Sequence, residues 1–567
     1  MKKIIFGTFM FLSISSCADV LDLSPLNSIS ETVTWSDPEM VKLYVNARYN
    51  ELPHGFQQFT GGLRMTGITD ESYHMHETRC DKYLAGGITS DNMFFYGGFW
   101  HEAYQAISNN NNFLEKFDAS IGESKLMAQY SAEIRWLRAW FYTELMSRYG
   151  AVPLITKTFN PNDNFNVERS SVKDITDFVV KEIDEILPDL LSRSDATGDN
   201  FGRITQGAAL ALKVRALMFY ASPLFNSDNE KSRWQNVALA CEELFNLNEY
   251  ELSSDYQNLF LNANDSEVIF FKQFIDEYGG ESYSMSGDSY FHYRGGHRID
   301  EWRFPSGSGG WVSENPIQTM VDQYETLKGE IPVLGYEGDE SNLTPILNPN
   351  ASDYDPDHPY EDRDPRLKMS IYYDGNEWKG REIEMWDGGA DSRNTNVNWW
   401  WNGSKLSYGI LKSLNPDWDY TSTVGSEQPW IYMRLSEFYL TYAEAQYHLG
   451  NEQLANEYVN KIRQREGVNM PSIAASGVEL LNKIKHERRV ELAFEGNRFY
   501  DARRWRDAEK DFSQDVIGVE IKRNAVTGEK SYRYYVFLTR DYDPKNDLWP
   551  IPVEEIKKSN LEQNPGY

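Results

Sequence analysis

Cysteine is almost absent from this chain. Three occur in 567 residues, at positions 17, 80 and 241, so no disulfide framework holds the protein together and packing must do it. Long apolar runs are also missing beyond the first few residues. No later segment reaches the roughly 20 apolar residues that a membrane-spanning helix needs. Basic residues are outnumbered, with 56 Lys and Arg against 86 Asp and Glu, a net charge of −30. That balance argues against nucleic acid and against any polyanion held by the bulk field of the protein. No G-x-S-x-G elbow, phosphate loop or dinucleotide fingerprint stands in a strand–turn–helix context, so those enzyme classes lack their signatures. With so many carboxylates, a pair at glycosidase spacing would arise by chance and carries no argument.

What the chain does have is aromatic surface and a leader. Aromatic residues make up 14%, and there are sixteen Trp. Lys2-Lys3 precede an apolar run from Ile4 to Leu12, followed by Ile14-Ser15-Ser16-Cys17. A charged start, a short apolar core and small residues make a secretory signal. The order Ile-Ser-Ser-Cys resembles a bacterial lipobox, which implies removal of residues 1–16 and a lipid on Cys17. The mature charge would then be −32, the leader having carried Lys2 and Lys3. Residues 17–36 read as a polar tether from that anchor.

Apolar residues recurring at helical spacing come next. Asp37-Pro38 starts a first helix, Asp37 as cap and Pro38 in the opening turn. Phe99–Phe117 and Lys125–Tyr149 form a helical hairpin that Gly150 stops and Pro153 keeps from resuming. Ser171–Leu191 and Thr205–Ala221 form a second hairpin, and Ser232–Leu247 adds a further helix. From 281 to 430 the helical period disappears. This part is rich in Gly, Asp, Asn and Ser and holds nine of the sixteen Trp. Segments of this length and irregularity inside compact proteins are usually functional.

Helices return in the stretch around which the chain is organised, 431–505. Tyr439, Ala443, Leu449, Gly450, Ala455, Val459 and Ile462 fall where a tetratricopeptide repeat has its bulky, small and turn residues. Ala443 and Ala455 let two antiparallel helices approach closely, and Gly450-Asn451 turns the chain between them. One such hairpin cannot bury its own apolar face, so it needs others stacked on it. The expected architecture is mainly α: a helical-repeat part over 37–280, a loop-rich and Trp-rich insertion over 281–430, and a second helical-repeat part over 431–567.

Several stretches together resemble one family. They are the lipobox leader, WHEAYQAISNNNNFLEKF, AEIRWLRAWFYTELMSRYGAVPL, YEDRDPRL, the repeat at 433–466, IKHERRVELAFEGNRFYDARRW and the ending WPIPVEEIKKSNLEQNPGY. In this order they look like the SusD/RagB family and cover nearly the whole mature chain. The resemblance implies a right-handed superhelix of tetratricopeptide-like helix pairs. It also implies a lipoprotein on the outer face of the outer membrane that binds oligosaccharides and delivers them to a SusC-like TonB-dependent transporter. Peptide capture for import by a member of the same family is one alternative reading, and a surface glycoside hydrolase is another. A binder of this kind needs no catalytic residue and no cofactor.

Candidate residues follow from sugar chemistry. A sugar ring packs its C–H face on a flat aromatic while its hydroxyls find polar partners. Trp302 and Trp311, in Gly- and Ser-rich surroundings, are the expected platform, since the resemblance places a ligand aromatic in that loop. Tyr290 and Tyr293 lie nearby in the chain. Asp70 and Glu71, with Tyr96, are the expected acceptors of hydroxyl hydrogen bonds. More than half of the Trp in the insertion should nevertheless be core, because Trp is buried on average. The high acidity favours a neutral glycan over a sulfated one.

Three further clusters read as structural. Glu487, Glu491 and Glu495 share one helical stripe and need cations to meet them, supplied by the Arg-rich segment 488–506, so an ion-pair network is expected there. His74-Met75-His76-Glu77 has no second ligand cluster and reads as loop surface rather than a metal site. Asp353, Asp355 and Asp357 open like a calcium loop, but His358 replaces the needed Gly and Asp364 the final Glu, leaving an irregular structural calcium as the only metal expectation.

Overall fold

The computed structural model describes residues 31–56, 64–74, 80, 83–85, 87–91, 97–159, 167–274, 305, 312, 314–392, 403–417, 427–559 and 561–567. The chain is largely helical. Helix α1 (Pro38–Tyr49) begins as the sequence requires, with Pro38 in its first turn and the Asp37 carboxylate accepting the Glu39 N–H at 2.9 Å. Helices α2 (Gly97–Lys116) and α3 (Ser124–Tyr149) form the first antiparallel pair. Gly150, at φ 73°, ends α3 in a conformation that suits Gly.

The second pair is α4 (Val172–Ile186) and α5 (Gln206–Ala221). Ser171 and Asp174 close a reciprocal capping box on α4, and Thr205 caps α5 by accepting from Ala208 N–H. The expected continuation of α4 to Leu191 stops short. A 3₁₀ turn takes over at Leu187–Asp189, with Pro188 inside it. Helix α6 (Lys231–Phe245) packs on α5, and then the chain leaves the helical stack.

It returns with α7 (Leu435–Leu449), which packs directly on α6 although almost two hundred residues separate them in the chain. Helices α8 (Glu452–Arg463) and α9 (Gly477–Glu491) complete the layer, with Gly450 in the left-handed conformation between α7 and α8. Ala443, Ala455, Val459 and Ile462 are all fully buried where these helices meet. A short helix, α10 (Asn497–Trp505), then carries the Arg-rich end of the stretch, and α11 (Val553–Ser559) lies near the C-terminus.

Antiparallel pairing clamps the exit and re-entry of the intervening segment. Strand β2 (Val268–Lys272) lies against β6 (Trp430–Arg434), with Ile431 opposite Phe271. Between them the segment is more regular than its composition suggests. Strand β3 (Glu314–Pro316) pairs with the early β1 (Ser72–His74), Tyr73 facing Asn315. The hairpin β4 (Val333–Asp339) and β5 (Asn342–Leu347) joins a C-terminal hairpin, β7 (Val516–Arg523) and β8 (Lys530–Leu538). Together they make a four-stranded sheet of order β7-β8-β5-β4. An irregular segment was expected here. β4 and β5 pair with each other as a local hairpin, and only the contact that joins them to the sheet, Leu343 of β5 opposite Tyr534 of β8, comes from the far end of the chain.

Two cores result. One lies among the helices and buries Trp136, Trp234 and Trp549 completely. The other joins the inserted segment to the C-terminal hairpin around Tyr324, Ile371, Val516 and Val519. Trp378 and Trp430 belong to this second core, each 4% exposed, while Trp386 packs at its margin. These three Trp therefore pack, as Trp usually does. Trp399, Trp400 and Trp401 lie outside the described residues.

A layer of buried charge lies where the inserted segment meets the helices. Glu491 meets Arg434, Arg465 and Arg366 at 2.6, 2.5 and 2.9 Å. Glu487 meets Arg366 and Arg463 at 2.6 and 2.9 Å, and Glu495 meets Lys412 and Arg434, both at 2.6 Å. The three carboxylates do form an ion-pair network, but not with the cations adjacent in sequence. Those have other partners: Arg488 binds Asp501, Arg498 binds Asp70, and Arg504 binds Glu444. Arg366 and Lys412 come from the inserted segment, so the network joins the two parts of the molecule.

Candidate functional site

A cleft of about 310 Å³ opens between the inserted segment and the C-terminal hairpin. One wall is the loop 385–392 together with residues 404–407, and the other is the face of β7 and β8. The loop is fastened to β7 by Asp387 N–H donating to the Ile521 carbonyl at 2.8 Å. The Ser407 hydroxyl donates to the Val519 carbonyl at 2.7 Å. Inside the loop, Asp391 takes both Arg381 Nη groups at 2.7 Å and also accepts from Glu384 N–H at 2.9 Å. Gly389 is required there, since a Cβ would sit 2.5 Å from the Glu384 carbonyl oxygen.

The floor is a tyrosine. Tyr535 lies across β7 because Gly518 leaves room; a Cβ at that position would come within 2.9 Å of its ring. Its hydroxyl donates to the Lys405 carbonyl at 3.0 Å, which holds the ring in place. The Arg533 guanidinium is 5.3 Å from the Tyr535 ring centre and binds Glu520 at 2.7 Å. Asp387, Ser392, Ser404 and Lys405 complete the lining. One aromatic ring bordered by carboxylates, cations and hydroxyls suits a polyhydroxylated ligand. No His or Cys is among the lining residues.

The early loop reaches the same neighbourhood through β3. Asn315, opposite Tyr73, accepts from Lys405 N–H at 2.8 Å and donates to the Val312 carbonyl at 2.6 Å. The structure therefore brings residues 72–74, the chain following Trp311 and the wall of the cleft together. Trp302, Trp311, Tyr290, Tyr293, Tyr96 and the proposed anchor Cys17 all lie outside the described residues.

Asp70 and Glu71 require a correction. They were expected at the surface as acceptors for ligand hydroxyls, but they are 1% and 0% exposed. Asp70 binds Arg498 and Arg489, both at 2.7 Å. Burial opposes its ionisation, yet the two guanidinium groups outweigh it and hold the carboxyl at about 2. Glu71 accepts from Phe494 N–H at 2.8 Å, and burial pushes its carboxyl up to about 7. These side chains fasten the early loop to α9, α10 and the turn between them and offer nothing to solvent. Composition favoured polar residues in a loop as ligand contacts; only tertiary packing shows them sealed under Arg489 and Arg498.

His74 is likewise buried, its imidazole 3.8 Å from Glu314 across the β1–β3 pair, so it is not loop surface; the metal reading of 74–77 also involves residues outside the described ones. Asp355 accepts from Asp357 N–H at 3.0 Å in an exposed turn. Among the described residues no group of three His, Cys, Asp or Glu is placed to hold a metal ion.

Residues that sequence reasoning did not find, Asp387, Lys405, Arg533 and Tyr535, come from segments more than a hundred positions apart. The alternation of β-branched and aromatic residues over 516–538 was the one local signal that could have pointed to this wall.

A stack of helix pairs with a sheet-bearing insertion and a polar, aromatic-floored cleft defines a scaffold protein with a ligand-binding face. The chain belongs to the SusD family, whose model matches residues 266–567, more than half of its length. A second family model, described as starch-binding and associating with the outer membrane, matches residues 20–217. SusD-like protein P38 of Formosa agariphila is 25% identical over 592 residues, spanning 98% of this chain and 96% of that protein. Among solved structures, a SusD-like protein of Bacteroides fragilis is 26% identical with a TM-score of 0.76, covering 96% of this chain and all of that one. A SusD-like carbohydrate binding protein from the same species is 24% identical with a TM-score of 0.72, covering 93% and 99%.

Proposed function

We propose that this protein is a cell-surface lipoprotein that captures oligosaccharides and passes them to a SusC-like TonB-dependent transporter. The observation that carries the reading is membership of the SusD family together with a cleft built from its inserted segment. Support for the ligand class comes from a relative of the same fold described as carbohydrate binding and from the family model described as starch-binding. The chemistry of the cleft agrees: Tyr535 offers a ring face, and Ser392, Ser404, Asp387 and Lys405 border it with groups that can bond hydroxyls. The leader ending at Cys17 supports the lipid anchor and the outer-membrane address. Capture without catalysis is the reading for the Glu487–Glu495 stripe, because its carboxylates are consumed by buried cations. The helical stack supplies a rigid face for a large partner such as a transporter.

The test is a panel of neutral polysaccharides and their oligosaccharides, followed by calorimetry on Tyr535→Ala. Loss of the ring should weaken binding of the recognised glycan by about 1–3 kcal/mol. Released reducing ends from any panel member would replace the binding reading by an enzymatic one. Unchanged affinity in a folded Tyr535→Ala would move the platform away from this cleft.

A further inference from the structure

A second cavity, of about 360 Å³, lies on the helical scaffold, away from the inserted segment. One wall is a single stripe of α2: Trp100, His101, Tyr104 and Ser108 follow at helical spacing. The opposite lip is the extended segment 153–159, and α11 closes the third side with Glu555 and Ser559.

The lip is held rigidly, and what holds it matters. Tyr104 donates its hydroxyl to the Pro153 carbonyl at 2.8 Å. The Tyr142 hydroxyl both donates to the Ile155 carbonyl and accepts from Ile155 N–H, each at 2.7 Å. Asn111 Nδ2 donates to the Ile155 and Lys157 carbonyls at 3.0 and 3.3 Å, and Glu115 accepts from Thr158 N–H at 2.7 Å. Main-chain groups of residues 153, 155, 157 and 158 are therefore held by side chains from α2 and α3.

The side chains around the cavity are in the opposite condition. Trp100 is only 4% exposed and packs against Tyr104, tilted, and Tyr149, edge-on, with ring centres 5.0 Å apart in each case. His101, Ser108, Lys157 and Ser559 also line the cavity with no hydrogen-bond partner for their side chains among the described residues. Tyr104 and Phe159 supply ring surface between these groups. One cation, Lys157, and one carboxylate, Glu555, leave no net charge to select an ion.

We propose that this cavity is a second carbohydrate-binding site, taking one or two units of a neutral glycan. It rests on the reading of the protein as a glycan binder. Ring faces meet the C–H face of a sugar, and the exposed imidazole, hydroxyl and ammonium groups of His101, Ser108 and Lys157 meet its hydroxyls. Two sites on one anchored chain raise retention of a long polymer more than that of a short oligomer, because the second contact becomes intramolecular.

The experiment uses the mature full-length protein with laminarin, amylopectin, xyloglucan and mannan, and the matching hexasaccharides. Ser108→Trp places a large side chain over the mouth of the cavity from an exposed helical position. His101→Ala/Lys157→Ala removes two donors without disturbing the core. In affinity gels both variants should lose about tenfold in retention by the recognised polysaccharide, equivalent to about 1.4 kcal/mol. Calorimetric affinity for the hexasaccharide at the first cleft should change less than about twofold. Polysaccharide retention equal to wild type in both variants overturns the second site and leaves the glycan reading intact. Wild-type protein that binds no member of the panel overturns the glycan reading and this proposal with it. Binding of a random peptide library that Ser108→Trp abolishes would assign the cavity to peptides instead.

Discussion

Replacing Glu491 by Gln tests the buried charge layer directly. The side chain is 0% exposed, and its two oxygens receive Arg434, Arg465 and Arg366. Burial alone would favour the neutral acid, but Arg465, Arg434, Arg366 and Lys412 prevail and hold the carboxyl far below the usual carboxylate range. Gln keeps the shape and one acceptor oxygen but removes the charge that those cations were desolvated to meet. Breaking a buried pair in this way costs about 3–5 kcal/mol, mostly from the cations left uncompensated. Unfolding entropy of about 2.1 cal/mol/K per residue, over a chain of this length, makes that a fall of roughly 2.5–4 °C in Tm. Differential scanning calorimetry at pH 7 reads it. Lys173→Ala is the control: its partner Asp177 is 2.5 Å away, but both side chains are about 60% exposed, so Tm should hardly move. Equal Tm for Glu491→Gln and wild type would refute the network as a source of stability. Lost glycan binding with unchanged Tm would instead make Glu491 a functional group.

The pH dependence has two limbs. The depressed carboxyls of Asp70, Glu325 and Glu444, each at about 2, contribute stability that is present above pH 5 and lost as pH falls toward 2. The raised ones, Glu71 at about 7 and Asp322 at about 6, act the other way, their stability being complete below about pH 4 and lost as pH rises through 6–7. Tm should therefore peak on the acid side of neutrality, and Glu71→Gln, whose amide oxygen can still accept from Phe494 N–H, should raise Tm at pH 8 but not at pH 4; a flat difference across that range would contradict the assignment. Gly409→Ala should destabilise by more than about 2 kcal/mol by urea titration, because its Cβ would fall 1.9 Å from the Tyr372 ring inside the second core. Cys17→Ala should move the protein from the membrane fraction to the soluble one, and retention there after a high-salt wash would disprove the lipid anchor.

The sequence alone determined the helical scaffold, because a helix is a local object. Apolar spacing, the Ser171–Asp174 box, the Thr205 cap and the breaks at Gly150 and Gly450 all act within a few residues, and apart from the early end of α4 at Ile186 the helices came out within a turn of their expected bounds. The family was legible for the same reason, as short motifs in a fixed order. The role of the Glu487–Glu495 stripe was also readable, since like charges on one helix face demand cations. Which cations was not, because Arg366, Lys412 and Arg434 reach it only through the fold. The same limit hid the sheet, whose β5 and β8 are nearly two hundred residues apart, and with it the cleft that Tyr535 and Lys405 share. It also hid the fate of Asp70 and Glu71. A carboxylate in a loop reads as exposed until the tertiary structure supplies the arginines that make its burial affordable, and Arg489 and Arg498 lie more than four hundred residues downstream.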